Sequence, residues 1–535
     1  MWYEESVLYQ IYPLGFTDSP KNNDGIVVNR ITKVNDWIDY FNDLSIDAIL
    51  FNPVFKSDSH GYDTVDFRLI DERLGTNEDF KNTCNNLHKN NIKVILDGVF
   101  NHVGRNFWAF KDVLEHKENS IYRYWFKIDF NGNTVFNDGF YYQAWENHFE
   151  LVELNLENDE VINYLFDCIK YWIEEIDIDG LRLDVAYCLS ENFLRKLRTF
   201  TTDIKNDFYL VGETLHGDYS RIMNDSMLHS VTNYQAYKGL WSSFNSSNFF
   251  EIEHTFQEHY IRQYPDSKEL NFVDNHDVNR IASVLSDSKH LPLIYGLLFS
   301  MVGTPCIYYG SEWGAKGDKH LGDEALRVSF EKPLTNELTS FITKLINIYH
   351  NSEALKYGKY QKLFLSNKQI VFERKSDNET IIVAINSEDN DFYANLNLHD
   401  KYAYDLISKT STEINGGINI KGYSIAYYRL AVKKEESIIV DNQLINARNN
   451  INSIDKEMAV LFERRMRAVE EVIDYKLRNN MEIFDSSREE EVINKNLEYI
   501  KDKELKKYYR EYIISNMEIS KEYQKNIKNK LKKAE

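Results

Sequence analysis

Residues of the types that perform acid–base chemistry lie at the ends of four apolar runs in this 535-residue chain. They are Asp97, Asn101 and His102 at the first run, Arg182 and Asp184 at the second, Glu213 at the third, and Asn275, His276 and Asp277 at the fourth. When parallel strands close into a barrel, catalytic groups project from the carboxyl ends of those strands. We therefore expect these side chains to converge on one mouth.

Three of these carboxylates, Asp184, Glu213 and Asp277, suit the cleavage of a glycosidic bond. One carboxylate can attack the anomeric carbon while another protonates the leaving oxygen, and a retaining pair lies about 5 Å apart. Crowding should raise the pKa of one carboxyl group, which then stays protonated near neutrality as the acid. Arg182 lies two residues before Asp184, on the same face of a strand, and can hold Asp184 ionised.

Eight short β-rich runs alternate with helical patterns over the first 350 residues. The runs cover residues 7–13, 48–55, 93–100, 180–186, 208–214, 230–235, 270–277 and 303–310. Their continuous apolar character is typical of parallel strands that are buried on both faces. We predict a (β/α)8 TIM barrel over residues 1–352, with a short inserted subdomain at about 103–155, where the chain is too long for a simple loop.

The pattern changes twice after the barrel. Alternating strands predict a C-terminal antiparallel β-sandwich over residues 353–433, and a charged linker follows it. From residue 440 to residue 535, apolar residues recur at helical spacing, as at Ile454, Met458 and Leu461. Two further helical patterns begin near Ser487 and Glu504, so we predict an all-α three-helix domain at the end of a multidomain chain.

The motifs of the first 432 residues resemble the α-amylase family of glycoside hydrolases. DGVFNH (97–102), GLRLDVA (180–186), GET (212–214) and FVDNHD (272–277) occur in the family's order and at its spacing. The resemblance implies Asp184 as the nucleophile, Glu213 as the general acid/base and Asp277 as the residue that grips and distorts the sugar. It also implies a set of substrate-binding and bracing residues, namely Tyr62, Asp97, His102, Arg182 and His276.

Two departures from the family pattern concern metal binding and substrate preference. Asn101 matches a calcium ligand of the family, but the calcium-binding insertion is short and the sequence identifies no partners for it. We therefore predict no cofactor and name no metal site, while dependence on calcium stays open. The segment VELNLEN (152–158) matches the subfamily-diagnostic segment loosely, so the preferred glucan stays open between maltodextrins and cyclodextrins and between α-1,4 and α-1,6 linkages.

The helical tail resembles the all-helical chorismate mutase family from Leu444 to about Gln524. The run ARNNINSIDKEMAVLFERRMRAVEEVIDYK, then DSSREEEV, then SKEYQ carries the resemblance. The implied chorismate site consists of Arg448, Arg465, Lys476, Asp485, Arg488, Glu489, Ser520 and Gln524. A dianionic substrate needs fixed cations, and arginine is the natural fork for carboxylates. The resemblance further implies a homodimer in which Arg448 reaches into the partner's site.

Composition limits the classes of partner. The formal net charge of −21 disfavours nucleic acids and anionic membranes as partners. The four cysteines form no CxxC pair, and neither a signal peptide nor an apolar run long enough to cross a bilayer is recognisable, so we expect a cytoplasmic protein.

The sequence therefore predicts a bifunctional enzyme, a retaining α-glucan hydrolase joined to a chorismate mutase. Its expected partners are α-glucan oligosaccharides, chorismate and a second copy of the chain. Two alternatives remain. The same barrel can act as a glucan transglycosylase or isomerase, because a sugar hydroxyl can replace water in the second step. The chain can also be a non-catalytic glucan-binding scaffold with a helical dimerisation tail, because a fold does not guarantee activity.

Overall fold

The structure is a computed structural model that describes residues 1–265, 269–398, 402–431, 443–479, 481 and 486–534. It divides into two compact units, Met1–Ile438 and Ile439–Glu535. The helical-tail prediction for Asp485 lies outside the described residues.

The first unit contains the predicted eight parallel strands. They are β1 (Leu8–Ile11), β2 (Ala48–Phe51), β3 (Lys93–Gly98), β4 (Gly180–Leu183), β5 (Tyr209–Gly212), β6 (Ser230–Val231), β7 (Leu270–Asn271) and β8 (Thr304–Tyr308). Each strand pairs with the next in parallel, except between β6 and β7, and β8 returns to pair with β1. A bridge from Thr232 to Leu270 joins the ends of β6 and β7, and the Asn233 N–H donates to Leu270 O at 2.9 Å. The predicted (β/α)8 barrel is confirmed.

Helices cover the outside of the barrel and begin at side-chain caps where the sequence supplies them. Ser190 accepts from the Phe193 N–H at 3.2 Å, and Asn233 accepts from the Ala236 N–H at 3.0 Å. The α-helices are Pro13–Phe16, Ile38–Leu44, Asn77–Lys89, Trp108–His116, Asp159–Glu174, Glu191–Ile204, Tyr234–Asn245, Phe250–Gln257, Ile281–Val284, His290–Leu298, Glu337–His350 and Glu353–Tyr357. The turns and short helices between them are Trp2–Glu4, Ile31–Trp37, Lys117–Asn119, Arg123–Trp125, Trp145–Asn147, Ala186–Cys188, Tyr219–Arg221, Glu258–Gln263, Ser311–Trp313, Lys319–Leu321 and Asp323–Ala325.

Three small antiparallel pairs extend from the barrel mouth. Phe55–Ser57 pairs with Thr64–Ile70 after β2. Between β3 and β4, His102–Gly104 pairs with Leu151–Glu153, and Ile128–Asp129 pairs with Tyr141–Tyr142. Because His102 begins one of these strands, the segment between β3 and β4 fixes a predicted site residue.

An antiparallel sheet follows the barrel, as predicted. Its strands are β9 (Lys359–Leu365), β10 (Gln369–Lys375), β11 (Thr380–Asn386), β12 (Phe392–Asn395), β13 (Tyr402–Asp405), β14 (Thr410–Glu413), β15 (Gly417–Ile420) and β16 (Ser424–Ala431). Six strands form one sheet in the order β9-β10-β11-β16-β13-β14, and β12 pairs with β15. Ile382 and Ala384 from the larger sheet share a buried cluster with Ala394 and Ile418 from the pair.

The second unit consists of the predicted helices, here Gln443–Arg478, Ser486–Tyr499 and Lys506–Ala534. Each contributes one buried isoleucine among its described side chains, Ile473, Ile493 and Ile513. In the described part of the chain, no helix combines the length and the apolar character that a membrane span requires.

Candidate active site

Arg182 forms the centre of the site at the mouth of the barrel. Its Nη1 lies 2.6 Å from Asp97 Oδ2 and 3.2 Å from Asp184 Oδ1. Its Nη2 lies 2.8 Å from Glu213 Oε1. Asp97 comes from β3, Arg182 from β4, and Asp184 and Glu213 directly follow β4 and β5, so three adjacent strands bring these buried side chains together. The guanidinium therefore binds three carboxylates at once.

Tyr62 and Asn52 contact Asp97 from the side of β2. The Tyr62 hydroxyl donates to Asp97 Oδ2 at 3.1 Å and also contacts His276 Nε2. The amide of Asn52 donates to the same Asp97 oxygen at 3.1 Å. The rings of Tyr62 and His276 are stacked, with centroids 5.7 Å apart and planes 10° from parallel. The Tyr62 hydroxyl is thus hydrogen-bonded within the site, and stacking on His276 fixes the orientation of its ring.

Asp277 lies between two cationic or polar groups on the β7 side. Its Oδ2 is 2.9 Å from His276 Nε2, and its Oδ1 accepts from Arg327 Nη2 at 3.0 Å. Burial alone would raise the pKa of Asp277, but His276 and Arg327 outweigh burial and hold that pKa below its ordinary value. Asp277 is therefore a fixed anion.

The pKa of Asp184 is shifted in the opposite direction from that of Asp277. Burial raises the pKa of Asp184, the nearby Glu213 carboxylate raises it further, and Arg182 opposes both without cancelling them. The raised pKa of Asp184 thus reflects its proximity to Glu213 as well as its burial. The sequence led us to expect an ionised Asp184 beside Arg182, whereas burial and Glu213 favour its protonated form.

His102 lies next to this pair, with its Nε2 4.0 Å from Asp184 Oδ2. Burial lowers the pKa of His102 to about 3, and the neighbouring His60 adds to this effect. Asn101 contacts His102 through its side-chain amide, at 3.3 Å from Nδ1. Among the described residues, no group of three or more His, Cys, Asp or Glu side chains could hold a metal ion.

The backbone just after Asp184 is strained. Val185 has φ 41° and ψ 46°, in the left-handed region that β-branched residues rarely adopt. In this conformation the Val185 N–H donates to Glu213 Oε2 at 3.1 Å. The strained conformation of Val185 therefore directs its N–H toward the carboxylate of Glu213.

In the helical tail the structure brings together Arg465, Ser520 and Asn516. Arg465 Nη1 contacts Ser520 Oγ and lies 3.4 Å from Asn516 O. Asn516, Ser520 and Gln524 follow one another at intervals of four on the third helix, and all three are buried. Lys476 lies on the first helix and is half-buried. The side chains of Arg448, Arg488 and Glu489 lie outside the described residues.

The family model of the α-amylase catalytic domain matches residues 10–356, well over half of the chain. The chain belongs to the α-amylase family. It is 32% identical to a maltogenic α-amylase of Bacillus acidopullulyticus over 73% of this chain and 70% of that protein. It is also 32% identical to a cyclomaltodextrinase of Thermoanaerobacter pseudethanolicus, over 72% of this chain and 71% of that protein.

Similar solved structures support the same family, and a second family model matches the helical tail. A cyclomaltodextrinase structure is similar with a TM-score of 0.73 and 27% identity, covering 80% of this chain and 78% of that one. A debranching enzyme of Nostoc punctiforme has a TM-score of 0.69 and 28% identity, covering 80% and 98%. The model of chorismate mutase type II matches residues 447–525. Both predicted resemblances are confirmed, and the chain is an α-amylase-family glycosidase that carries a chorismate mutase domain.

Three residues of the α-amylase site were absent from the sequence prediction. Tyr234, whose hydroxyl lies 3.4 Å from Glu213 Oε1, follows β6, and Asn52 follows β2, so a search of strand ends could have found both. Arg327 lies after a short helical turn and far from any strand end, and its sequence surroundings carry no signal. Its guanidinium nevertheless binds Asp277 and lies over the ring of Tyr12 at 4.6 Å.

We predict that Arg182→Met destabilises the protein by about 3–5 kcal/mol, because three buried carboxylates lose their shared cation. The loss should be larger at pH 8 than at pH 5. Arg182 opposes the raised pKa of Asp184, so without Arg182 that pKa rises further, the folded state binds more protons and stability falls as pH rises. Urea unfolding at the two pH values measures this difference.

The matched control is Arg195→Met, which removes an arginine 51% exposed that pairs with Glu191 on the surface. It should change stability by less than about 1 kcal/mol at either pH. Equal destabilisation by Arg182→Met at pH 5 and pH 8 would contradict the shared-cation interpretation.

Proposed function

We propose that the barrel, residues 1–352, hydrolyses α-glucosidic bonds of maltodextrins or cyclodextrins with retention of configuration. One observation carries this proposal: Asp184 and Glu213 are bound to the two terminal nitrogens of the Arg182 guanidinium. Two carboxylates on one guanidinium lie close to each other, and a retaining pair needs a separation of about 5 Å.

The proposed reaction has two steps. Asp184 attacks the anomeric carbon, while Glu213 gives its proton to the leaving glycosidic oxygen, so a glycosyl ester of Asp184 forms. Glu213 then takes a proton from water, which attacks the same carbon and releases Asp184. The first step requires an ionised Asp184 and a proton on Glu213.

The remaining barrel residues bind the sugar in this proposal. Asp277, held ionised by His276 and Arg327, accepts hydrogen bonds from sugar hydroxyls. The ring of Tyr62, fixed by its stacking on His276, offers an apolar face to the same sugar. His102 stays neutral and can donate one hydrogen bond from its buried ring.

The relatives support the substrate class and the location. They include cyclomaltodextrinases, maltogenic amylases and a neopullulanase of Thermoactinomyces vulgaris that is 32% identical over 67% of this chain and 64% of that protein. An intracellular maltogenic amylase of Bacillus subtilis is 30% identical over 72% of this chain and 69% of that protein. We propose short α-glucans as the substrate and the cytoplasm as the location.

We predict that Asp184→Asn and Glu213→Gln each lower kcat on maltotriose by at least about a thousandfold while glucan binding persists, because each variant removes one partner of the reacting pair. The wild-type products should be glucose and maltose, and proton NMR of the first product should show the α-anomer. Calorimetric titration of the variants with maltotriose tests binding.

The control is Asp159→Asn, which changes a carboxylate 80% exposed on the barrel surface and should leave kcat unchanged. Oligosaccharides longer than maltotriose would indicate the transglycosylase or isomerase alternative. Turnover that survives in either site variant would overturn the assignment, and a wild-type chain that binds maltotriose without cleaving it would favour the glucan-binding scaffold.

We propose that the helical tail converts chorismate to prephenate. The reaction is a unimolecular rearrangement, so the site needs only to fold the substrate and stabilise charge on its ether oxygen. The third helix buries Asn516, Ser520 and Gln524, a polar face that suits a polar ligand better than an apolar core. Arg465 lies against this face and would bind a substrate carboxylate, while Lys476 and Gln524 would face the ether oxygen.

We predict that Arg465→Ala lowers prephenate formation at least about a hundredfold, because the substrate carboxylate loses its arginine fork. Glucan hydrolysis by the same variant should not change. The control is Arg467→Ala, which removes an arginine 73% exposed that pairs with Glu463, and it should retain mutase activity. Equal loss in both variants would refute the specific role of Arg465.

We further propose that two copies of the chain associate through their tails. The first tail helix carries an apolar stripe at Ile451, Ile454, Met458 and Leu461, and these four side chains are 39% to 57% exposed. Helical geometry continues this stripe to Val472, which is 47% exposed, whereas the adjacent Ile473 is buried within the chain. The chain therefore leaves the stripe exposed at these four residues and at Val472.

The buried apolar side chains in the described part of the tail are Ile473, Ile493 and Ile513, a core too small to stabilise a helical domain alone. The exposed stripe supplies the missing apolar area when it packs against a second copy. Arg448 precedes the stripe on the same helix, in keeping with its proposed action in the partner's site.

We predict that Leu461→Glu converts a dimer into a monomer and lowers mutase activity, because a charge is then buried in the proposed interface. Light scattering after gel filtration measures the mass. The control is Val460→Glu, since Val460 is 49% exposed but faces away from the stripe by helical geometry. A wild-type monomer, or a dimer that persists in Leu461→Glu, would refute this interface.

A further inference from the structure

A chain of hydrogen bonds runs from Asp277 to Glu213 across the ends of β7, β6 and β5. The Asp277 N–H donates to Asn275 Oδ1 at 2.9 Å, and Asn275 Nδ2 donates to the Tyr234 hydroxyl at 2.8 Å. The Tyr234 hydroxyl donates to Glu213 Oε1 at 3.4 Å.

The direction of this chain is fixed at its first step. A backbone N–H can only donate, so the Asn275 atom that faces Asp277 must be the amide oxygen, and its NH2 group must face Tyr234. The Tyr234 oxygen therefore accepts from Asn275 and directs its own proton toward Glu213. Burial raises the pKa of Tyr234 well above its ordinary value, so the hydroxyl keeps that proton.

The two oxygens of Glu213 consequently have different surroundings. Oε1 faces two donors, Arg182 Nη2 at 2.8 Å and the Tyr234 hydroxyl at 3.4 Å. Oε2 accepts from the Val185 N–H at 3.1 Å, and the described residues offer it no second hydrogen bond. A carboxylate oxygen has room for about two hydrogen bonds, so Oε1 is saturated and the free position is on Oε2.

We infer that Tyr234, oriented by Asn275, is a positioning residue that confines the transferable proton of Glu213 to Oε2 and stabilises the ionised form of that carboxylate. This inference rests on the proposed role of Glu213 as the general acid/base. In the first step the O–H bond on Oε2 breaks as the proton passes to the leaving oxygen, and in the second step Oε2 takes a proton from water. Tyr234 keeps its own proton throughout.

Other ionisable groups also face Glu213, so the effect of Tyr234 must be separated from theirs. They are Arg182 and Asp184 from the end of β4, Tyr187 and Cys188 from the turn after it, and Asp277, which faces Tyr234. Replacing Tyr234 by Phe leaves all of these groups in place and removes one donor to the ionised carboxylate. The pKa of Glu213 should then rise.

The test is the pH dependence of kcat/KM on maltotriose for the full chain. The alkaline limb reports the loss of the proton from the general acid, so Tyr234→Phe should move this limb upward by about 0.5–1 pH unit. Asn275→Asp should move it in the same direction, because its carboxylate accepts from both the Asp277 N–H and the Tyr234 hydroxyl and turns the tyrosine proton away from Glu213. Turnover of α-maltosyl fluoride, whose leaving group needs little protonation, should fall less than turnover of maltotriose.

The matched control is Tyr237→Phe, which removes a hydroxyl from the same helix on a ring that stacks against Phe272 at 5.3 Å. It should leave both limbs in place, and thermal unfolding checks that all variants are folded. An unmoved or lowered alkaline limb in Tyr234→Phe, or an equal shift in Tyr237→Phe, would overturn the inference. Failure of the underlying function is distinguishable, since Glu213→Gln would then turn over maltotriose normally.

Discussion

The guanidinium of Arg182 is the interaction on which the barrel site depends. Burying an ion in a protein interior costs several kcal/mol unless opposite charge compensates it. Arg182 compensates Asp97, Asp184 and Glu213 from one position, because its strand lies between the strands that carry Asp97 and Glu213. Three carboxylates against one cation leave a deficit that a proton relieves, and the raised pKa of Asp184 reflects this deficit. The charge balance that holds the site together thus also favours a bound proton within it.

The strained backbone at Val185 and the hydrogen-bond chain through Tyr234 each fix a different oxygen of Glu213. Val185 adopts a conformation that is costly for a β-branched residue, and its N–H binds one oxygen of Glu213. Arg182 and Tyr234 bind the other oxygen. Because β4 supplies Arg182 and Val185, β5 supplies Glu213 itself and β6 leads to Tyr234, the barrel geometry orients this carboxylate through three partners.

Much of this architecture could be predicted from the sequence. Strands buried on both faces leave continuous apolar runs, so even β6, which is two residues long, is recognisable, although the predicted run 230–235 extends into the helix that Asn233 caps. Asp184, Glu213 and Asp277 were found because they follow such runs. Arg327 was not, since its contact with Asp277 joins positions 50 residues apart and Arg327 itself lies far from any strand end. Likewise, the proximity of Asp184 to Glu213, which raises the pKa of Asp184, exists only in three dimensions.

For the helical tail as well, the sequence predicts the helix but not its contacts. Spacing of three and four residues predicted its first helix, and that helix runs from Gln443 to Arg478. The spacing cannot tell which part of the stripe a neighbouring helix covers. In the structure Arg465 contacts Ser520 on the third helix and Ile473 is buried, whereas Leu461 and Val472 on the stripe are exposed. A helix whose apolar stripe is exposed requires a further surface, and that surface must be apolar because the exposed side chains are. A second copy of the same stripe meets this requirement, which is why the mutase proposal and the dimer proposal depend on the same helix.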